Sequence, residues 1–112
     1  FVTSLSMASG TGLFNIRHNE WDDDLLAFTD IKRESLPEIA ADNQTFQTDR
    51  WEKLKDAKWF LAIGDGAANN VGAGCLQKTK AALMIGTSGA MRVAYEGEIP
   101  KQIPHGLWCY RI

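Results

Sequence analysis

The sequence lacks a cluster of lysine and arginine side chains of the kind that follows a phosphate backbone. Its 12 basic and 14 acidic residues give a formal net charge of -2, so nucleic acid is not an expected partner. No apolar run approaches the roughly 18 to 20 residues that cross a bilayer. The chain does not begin with methionine, and its opening has no basic flank typical of a signal peptide. We therefore expect no membrane partner, and the opening is typical of the middle of a longer protein.

Cysteine and histidine are also scarce. Cys75 and Cys109 lie 34 positions apart without CxxC spacing, which favours two reduced thiols in a cytoplasmic protein over a disulfide. His18 and His105 have no partner at metal-ligand spacing. We expect no metal site built from protein ligands.

The chain has 45% hydrophobic and 23% charged residues, which is typical of a soluble globular protein with one modest core. The stretch from Leu13 to Ile16 favours a short strand. Trp21, Leu25 and Phe28 then follow at i, i+4 and i+7 and predict the apolar face of a helix. An acidic triplet, residues 22–24, would occupy its first turn, where the helix dipole favours negative charge.

The remaining pattern predicts short elements. They are a helical turn in 32–39, a connection over 40–49, amphipathic turns in 51–57, a buried strand over 59–63, a small-residue helix over 65–74, a hairpin of 81–85 with 90–96, and a last strand over 107–112. The change of pattern near Lys78 is the candidate domain boundary.

Asp65 follows the predicted buried strand and has two interpretations. An Asp after Gly at a strand end is a common turn residue or helix N-cap. A carboxylate at the carboxyl end of a strand also projects into the crevice where open α/β sheets bind ligands. There it could take the proton of an incoming alcohol.

The segment Gly86-Thr87-Ser88-Gly89 also has two interpretations. A hairpin turn bounded by glycine needs that residue for its backbone angles whether or not it binds a ligand. The same turn can bind an anion, because consecutive amides converge and two hydroxyls can donate. The sequence has no GK[ST] phosphate loop and no GxGxxG turn, so those two classes of nucleotide site are not predicted.

Five ordered blocks together resemble one family, the FGGY carbohydrate kinases, which phosphorylate sugars, polyols or sugar acids with MgATP. The blocks are ASGTGLFNIR (8–17), NEWDDDLL (19–26), IGDGAANNVGAGC (63–75), ALMIGTSGAMRV (82–93) and GLWCYRI (106–112). The resemblance covers nearly the whole chain and is least distinct over 43–58. The GTSGAMRV and LWCY blocks most resemble gluconokinase-type members, followed by xylulokinase-like members.

The resemblance implies an α/β fold, part of an actin-like, ribonuclease-H-like ATPase with two domains and a cleft. Residues 1–78 would be the C-terminal part of the first, substrate-side domain. Residues 79–112 would begin the second, nucleotide-side domain. The family's catalytic base, which also binds the substrate hydroxyl, corresponds to Asp65, with Gly66 beside it as a substrate contact.

The family's second phosphate motif corresponds to the turn, so the resemblance implies that Gly86, Thr87, Ser88 and Gly89 bind the ATP phosphates. Mg²⁺ would be held mainly by those phosphates and by residues outside this chain. The family's N-terminal phosphate motif and its C-terminal adenine motif would also lie outside these 112 residues.

Two positions depart from the family pattern. Members commonly carry an acid where this chain has Ser4, and some branches have Gln where it has Gly66. Both departures concern polar contacts close to the expected substrate site.

The resemblance predicts a parent enzyme that transfers the γ-phosphate of ATP to a hydroxyl of a sugar or sugar acid, with gluconate as the first candidate. The fragment alone would be nearly inactive. The alternative is a stand-alone, non-catalytic remnant that binds a sugar or a partner protein. The kinase hypothesis predicts exposed apolar surface and self-association, such as a homodimer, whereas the remnant hypothesis predicts a clean monomer.

Overall fold

The computed structural model describes residues 1–41 and 43–112. Asp42, within the predicted connection over 40–49, lies outside the described residues. The chain divides into two compact units, one of residues 1–62 with Arg111 and one of residues 63–110 with Ile112. The domain boundary near Lys78 refers to the two kinase domains of a longer protein and stays a prediction.

The first unit consists of short elements joined by turns. In chain order they are β1 (Val2–Thr3), α1 (Leu5–Ser9), β2 (Phe14–Asn15), β3 (Glu20–Trp21), α2 (Asp23–Thr29), a 3-10 turn (Arg33–Ser35), β4 (Glu38–Ile39), β5 (Thr45–Phe46), a second 3-10 turn (Glu52–Leu54) and β6 (Trp59–Phe60). Strands β1 and β4 pair in parallel, while β2 pairs with β3 and β5 with β6 in antiparallel fashion. The predicted mixture of helices and strands is confirmed.

The core of the first unit is an aromatic pair with two aliphatic neighbours. Phe14 and Trp21 are opposite each other in the β2–β3 pair, and their rings meet edge to face at 6.3 Å and 89°, a favoured aromatic geometry. Ala8 and Leu26 complete this buried cluster. The Trp21 indole donates to the Pro37 carbonyl at 2.9 Å, so its polar atom is satisfied inside the core.

Helix α2 begins as the acidic triplet predicts, but its buried face differs. The Asp22 side chain caps the helix by accepting from the Leu25 amide at 3.0 Å. The predicted face of Trp21, Leu25 and Phe28 is wrong. Trp21 precedes the cap and belongs to β3, Phe28 is 87% exposed, and Leu26 is only 4% exposed. The predicted spacing was counted from Trp21, which lies one residue before the cap and outside the helix, so it does not describe the buried face of α2.

Two predicted strands also differ in the structure. The stretch 59–63 contains only the two-residue β6, whose Trp59 and Phe60 are exposed, because β6 pairs with β5 alone and contributes nothing to the core. The predicted strand over 107–112 is absent from the described residues. Instead, the Arg111 backbone is bound by the Ser9 hydroxyl, which donates to its carbonyl at 3.0 Å and accepts from its amide at 3.2 Å.

The second unit contains helix α3 (Asp65–Gly72) and a hairpin of β7 (Ala82–Ile85) and β8 (Gly89–Arg92). Both elements were predicted, and both are confirmed. The hairpin pairs Ala82 with Arg92 at its open end and Ile85 with Gly89 beside the turn. Helix α3 packs against β7.

The two faces of the hairpin differ in burial. Ala82 is buried and Arg92 is partly buried, whereas Leu83, Ile85 and Met91 are exposed. Period-2 alternation therefore holds, but its larger apolar side chains lie on the open face. Exposed apolar surface of this kind is what the kinase hypothesis predicts.

Candidate active site

Asp65 is the first residue of helix α3. Gly64 occupies the N-cap position with an extended backbone, and no side chain caps the helix. The interpretation of Asp65 as an N-cap is therefore wrong. Its side chain is exposed, and among the described residues neither ion pair involves it. This acid is therefore open to a ligand.

The surroundings of Asp65 also differ from the predicted strand end. The nearest preceding strand is β6, which ends at Phe60 and pairs with an antiparallel neighbour. Residues 61–64 between them have no regular structure. Asp65 is thus held by helix α3 and not by the end of a buried parallel strand.

Gly66 lies directly against the side chain of Arg92. A Cβ atom built at position 66 would be 2.6 Å from Arg92 Nε and 2.9 Å from Cζ, distances that real Cβ atoms do not show. Gly66 does not have a positive φ, so backbone conformation does not require glycine there. The missing side chain instead makes room for the Arg92 guanidinium against the first turn of α3.

Asn70 fixes the hairpin to helix α3. It is 1% exposed, and its amide nitrogen donates to the carbonyls of Cys75 and Arg92 at 3.1 and 3.3 Å. Its side-chain oxygen is buried without a hydrogen-bond partner among the described residues, as is Nη1 of Arg92. Buried polar groups of this kind are usually paired, so the two atoms mark an unusual polar site within the unit.

The turn between β7 and β8 is exposed along its whole length, from Gly86 to Gly89. The Gly86 amide donates to the Ser88 carbonyl at 2.9 Å, so that amide is already used within the turn. The hydroxyls of Thr87 and Ser88 make no hydrogen bond to the described residues. The turn therefore offers a ligand two hydroxyl groups and the amides of its central residues.

Backbone angles do not explain the glycines of this turn. Neither Gly86 nor Gly89 has a positive φ, so the interpretation that the hairpin needs them for its backbone angles is wrong. An added Cβ would meet only the Ser88 carbonyl at 4.0 Å from position 86, and the Met84 carbonyl at 3.9 Å from position 89. An alanine would therefore fit within the fold at either position, and glycine there leaves the backbone of the turn more accessible.

The predicted base and the predicted phosphate turn belong to the same compact unit. They lie at different places along the hairpin. Gly66, next to Asp65 in the chain, contacts Arg92 at the open end, whereas the turn ends at Gly89, three residues before Arg92 in β8 and about 10 Å away at the rise of a strand. The structure thus brings Arg92 against the residue that follows the acid and leaves a gap between that contact and the turn.

Ser4, where the family resemblance led us to expect an acid, has a local structural role. Its hydroxyl accepts from the Met7 amide at 3.1 Å as the cap of α1 and donates to the Ala62 carbonyl at 2.6 Å. In the neighbouring block, Thr11 donates to the Ala8 carbonyl at 2.7 Å. These hydroxyls are occupied within the first unit.

No metal-binding cluster of three His, Cys, Asp or Glu side chains lies in residues 1–41 or 43–112. Within the same ranges, no helix has the length and apolar character needed to span a membrane. Cys75 and Cys109 are free thiols.

Comparison with known proteins identifies the family. Residues 1–57 match the N-terminal domain of the FGGY family of carbohydrate kinases, which is half of the 112-residue chain. The chain belongs to the FGGY family. Gluconokinase of Bacillus subtilis (strain 168) is 27% identical over 119 residues, covering 100% of this chain and 23% of the relative.

Glycerol kinases are similar over almost the same span of this FGGY chain. That of Mycoplasma capricolum subsp. capricolum is 34% identical, covering 96% of this chain and 22% of the relative. That of Deinococcus radiodurans is 34% identical, covering 90% and 21%. The chain therefore spans between a fifth and a quarter of the length of these curated relatives.

Sequence reasoning found the acid and the turn but assigned no role to Arg92 or Asn70. In the structure, the alternation of β8 puts Arg92 on the face opposite Met91. No sequence signal indicated that its side chain would lie over Gly66. That contact depends on how α3 packs on the hairpin.

Proposed function

We propose that this FGGY chain is an internal part of an ATP-dependent carbohydrate kinase with an actin-like, ribonuclease-H-like fold. The parent would transfer the γ-phosphate of ATP to a hydroxyl of a sugar, polyol or sugar acid. Support comes from the family match over residues 1–57. One observation supports the site in particular. Asp65 is exposed and unpaired among the described residues, and it is the first residue of helix α3. This helix packs on the hairpin that contains the glycine turn.

In this proposal Asp65 is the general base. Its carboxylate accepts the proton of the acceptor hydroxyl while that oxygen bonds to the γ-phosphorus, and the bond from the γ-phosphorus to the leaving oxygen of ADP breaks. Asp65 also orients the acceptor hydroxyl before the transfer, and Gly66 contacts the substrate next to it. Positioning and charge neutralisation dominate such reactions, because the transition state is loose.

The turn fits a nucleotide phosphate. Gly86 and Gly89 leave the backbone open to close approach, and the Thr87 and Ser88 hydroxyls have no other partner among the described residues. We assign the β- and γ-phosphates of ATP to these four residues. Mg²⁺, bound mainly by the phosphates, would supply charge neutralisation, and the reduced thiols agree with a cytoplasmic parent.

Gluconate is the acceptor that we propose first, because the gluconokinase of Bacillus subtilis aligns with the whole chain. Glycerol is the second candidate, because glycerol kinases reach 34% identity over nearly the same span. The full-length parent, assayed with each acceptor and ATP, would separate the two. A parent that phosphorylates neither these nor any other sugar or polyol would refute the kinase proposal.

The role of Asp65 is tested by Asp65→Asn in the full-length parent. We expect kcat to fall about 10²- to 10⁴-fold, the usual contribution of a general base. Asp24→Asn is the matched control, because Asp24 is also exposed in the first turn of a helix. Activity of Asp65→Asn within about threefold of wild type would rule out the base.

A further inference from the structure

We propose that Arg92 binds an anionic oxygen group of the bound substrates beside Asp65. In this proposal position 66 is a glycine because a side chain there would leave no room for the Arg92 guanidinium. The inference rests on the proposed kinase function and deepens it by adding a residue for substrate binding. The ligand group is a carboxylate of the acceptor or the phosphoryl group in transfer. Both present planar or tripodal oxygens that a guanidinium recognises.

The first support is the contact with Gly66. The Arg92 side chain approaches so closely that Nε, Cζ and Cδ would lie 2.6, 2.9 and 3.2 Å from a Cβ at position 66. Gly66 immediately follows the proposed base in the first turn of α3. The guanidinium therefore lies against the residue that directly follows the proposed base.

The second support is that one buried nitrogen of the guanidinium lacks a partner among the described residues. Nη1 of Arg92 is buried with no hydrogen bond to the described residues, and the ion pairs among those residues are made by Arg33 and Lys55. Burying a charged donor without an acceptor is costly. Nη1 itself is closed to solvent, but the residue as a whole is only partly buried, so a ligand oxygen that contacts the exposed part of the side chain would offset this cost.

The third support is the way in which the residue is held. The buried Asn70 side chain donates to the Arg92 carbonyl, so the backbone of this residue is fixed to helix α3. The same helix carries Asp65. The hydrogen bond thus ties the backbone of Arg92 to the helix that carries the acid, which favours a fixed spacing between binding groups for a single ligand.

The test uses the full-length parent with Arg92→Met, which keeps an unbranched stem and removes the charge. If Arg92 binds the acceptor carboxylate, the KM for gluconate should rise about 10- to 100-fold with little change in kcat. If it binds the phosphoryl group, kcat should fall by a similar factor with little change in that KM. Arg50→Met, at an exposed arginine of the first unit, is the control and should leave both constants unchanged.

The Gly66→Ala variant tests the same proposal independently. Its Cβ should displace the guanidinium, so it should reproduce the pattern of Arg92→Met. Adding Gly66→Ala to Arg92→Met should then change little, because the group that it displaces is already gone. Arg92→Lys should recover only part of the loss, since lysine keeps the charge but not the planar fork.

The two proposals fail in different ways. An active wild-type parent whose kcat and KM stay within about twofold in Arg92→Met would overturn the role of Arg92 alone. A wild-type parent without phosphotransfer to any sugar, polyol or sugar acid would overturn both. If Arg92→Met does not fold, Arg92→Lys and Gly66→Ala decide the matter, and wild-type constants in both would overturn the inference.

Discussion

Replacing Gly66 with alanine tests whether Arg92 is seated on the first turn of helix α3. Alanine favours a helix over glycine by up to about 1 kcal/mol, but the added Cβ would lie 2.6 Å from Arg92 Nε. Overpacking costs about 1 to 3 kcal/mol, and the low end of this range applies because the close atoms are the far end of a flexible side chain that can shift. This cost should roughly cancel the gain in helix propensity, so amide hydrogen exchange in α3 should stay within about twofold of wild type.

Gly72 supplies a matched control in the same helix. No heavy atom lies within 4 Å of a Cβ built there, so Gly72→Ala should gain helix propensity without a clash and slow exchange by up to about fivefold. Exchange measured by mass spectrometry on both variants of the full-length parent gives the comparison. Rates in α3 that agree within about twofold between the variants would refute the close contact of Gly66 with Arg92.

Three further predictions concern the core, the turn and the open hairpin face. Leu26→Ala should lower the free energy of unfolding by about 2 to 5 kcal/mol, whereas Phe28→Ala should lower it by less than about 0.5 kcal/mol, since only Leu26 is buried. Urea titrations measure both values, and equal losses would contradict the assigned helix face. The methyl group of Gly89→Ala fits within the fold, so this variant of the parent should keep its melting temperature. Its KM for ATP should rise, because the methyl group hinders close approach of a phosphate, and an unchanged KM would argue against a phosphate there. Lysine in place of the exposed Leu83 and Met91 should reduce self-association of the 112-residue chain in size-exclusion runs at several concentrations; a wild-type chain that stays monomeric would favour the remnant hypothesis.

Local sequence signals predicted the elements whose causes are local. The acidic triplet before Leu25 marks the start of α2, because capping and the helix dipole act within one turn. The small residues from Asp65 onward predicted α3, and the glycine-bounded segment predicted the hairpin turn. Each of these was confirmed at or near its predicted bounds.

The failures share a different cause. The stretch from Trp59 has the composition of a buried strand, yet burial depends on a covering layer that β6 lacks among the described residues. Phe28 is apolar and at the expected helical spacing, but the core approaches α2 from the side of Leu26. Apolar composition predicts that a residue can be buried, whereas its neighbours in three dimensions decide whether it is.

The sequence alone determined the family, the candidate base Asp65 and the candidate phosphate turn, because those signals are carried by residue type and order along the chain. Only the tertiary structure showed that Gly66 accommodates the Arg92 guanidinium and that Asn70 fixes the hairpin to α3. It also showed that the glycines of the turn are not required by backbone angle. The first two facts depend on contacts between residues more than twenty positions apart, and packing, which no local pattern encodes, decides them.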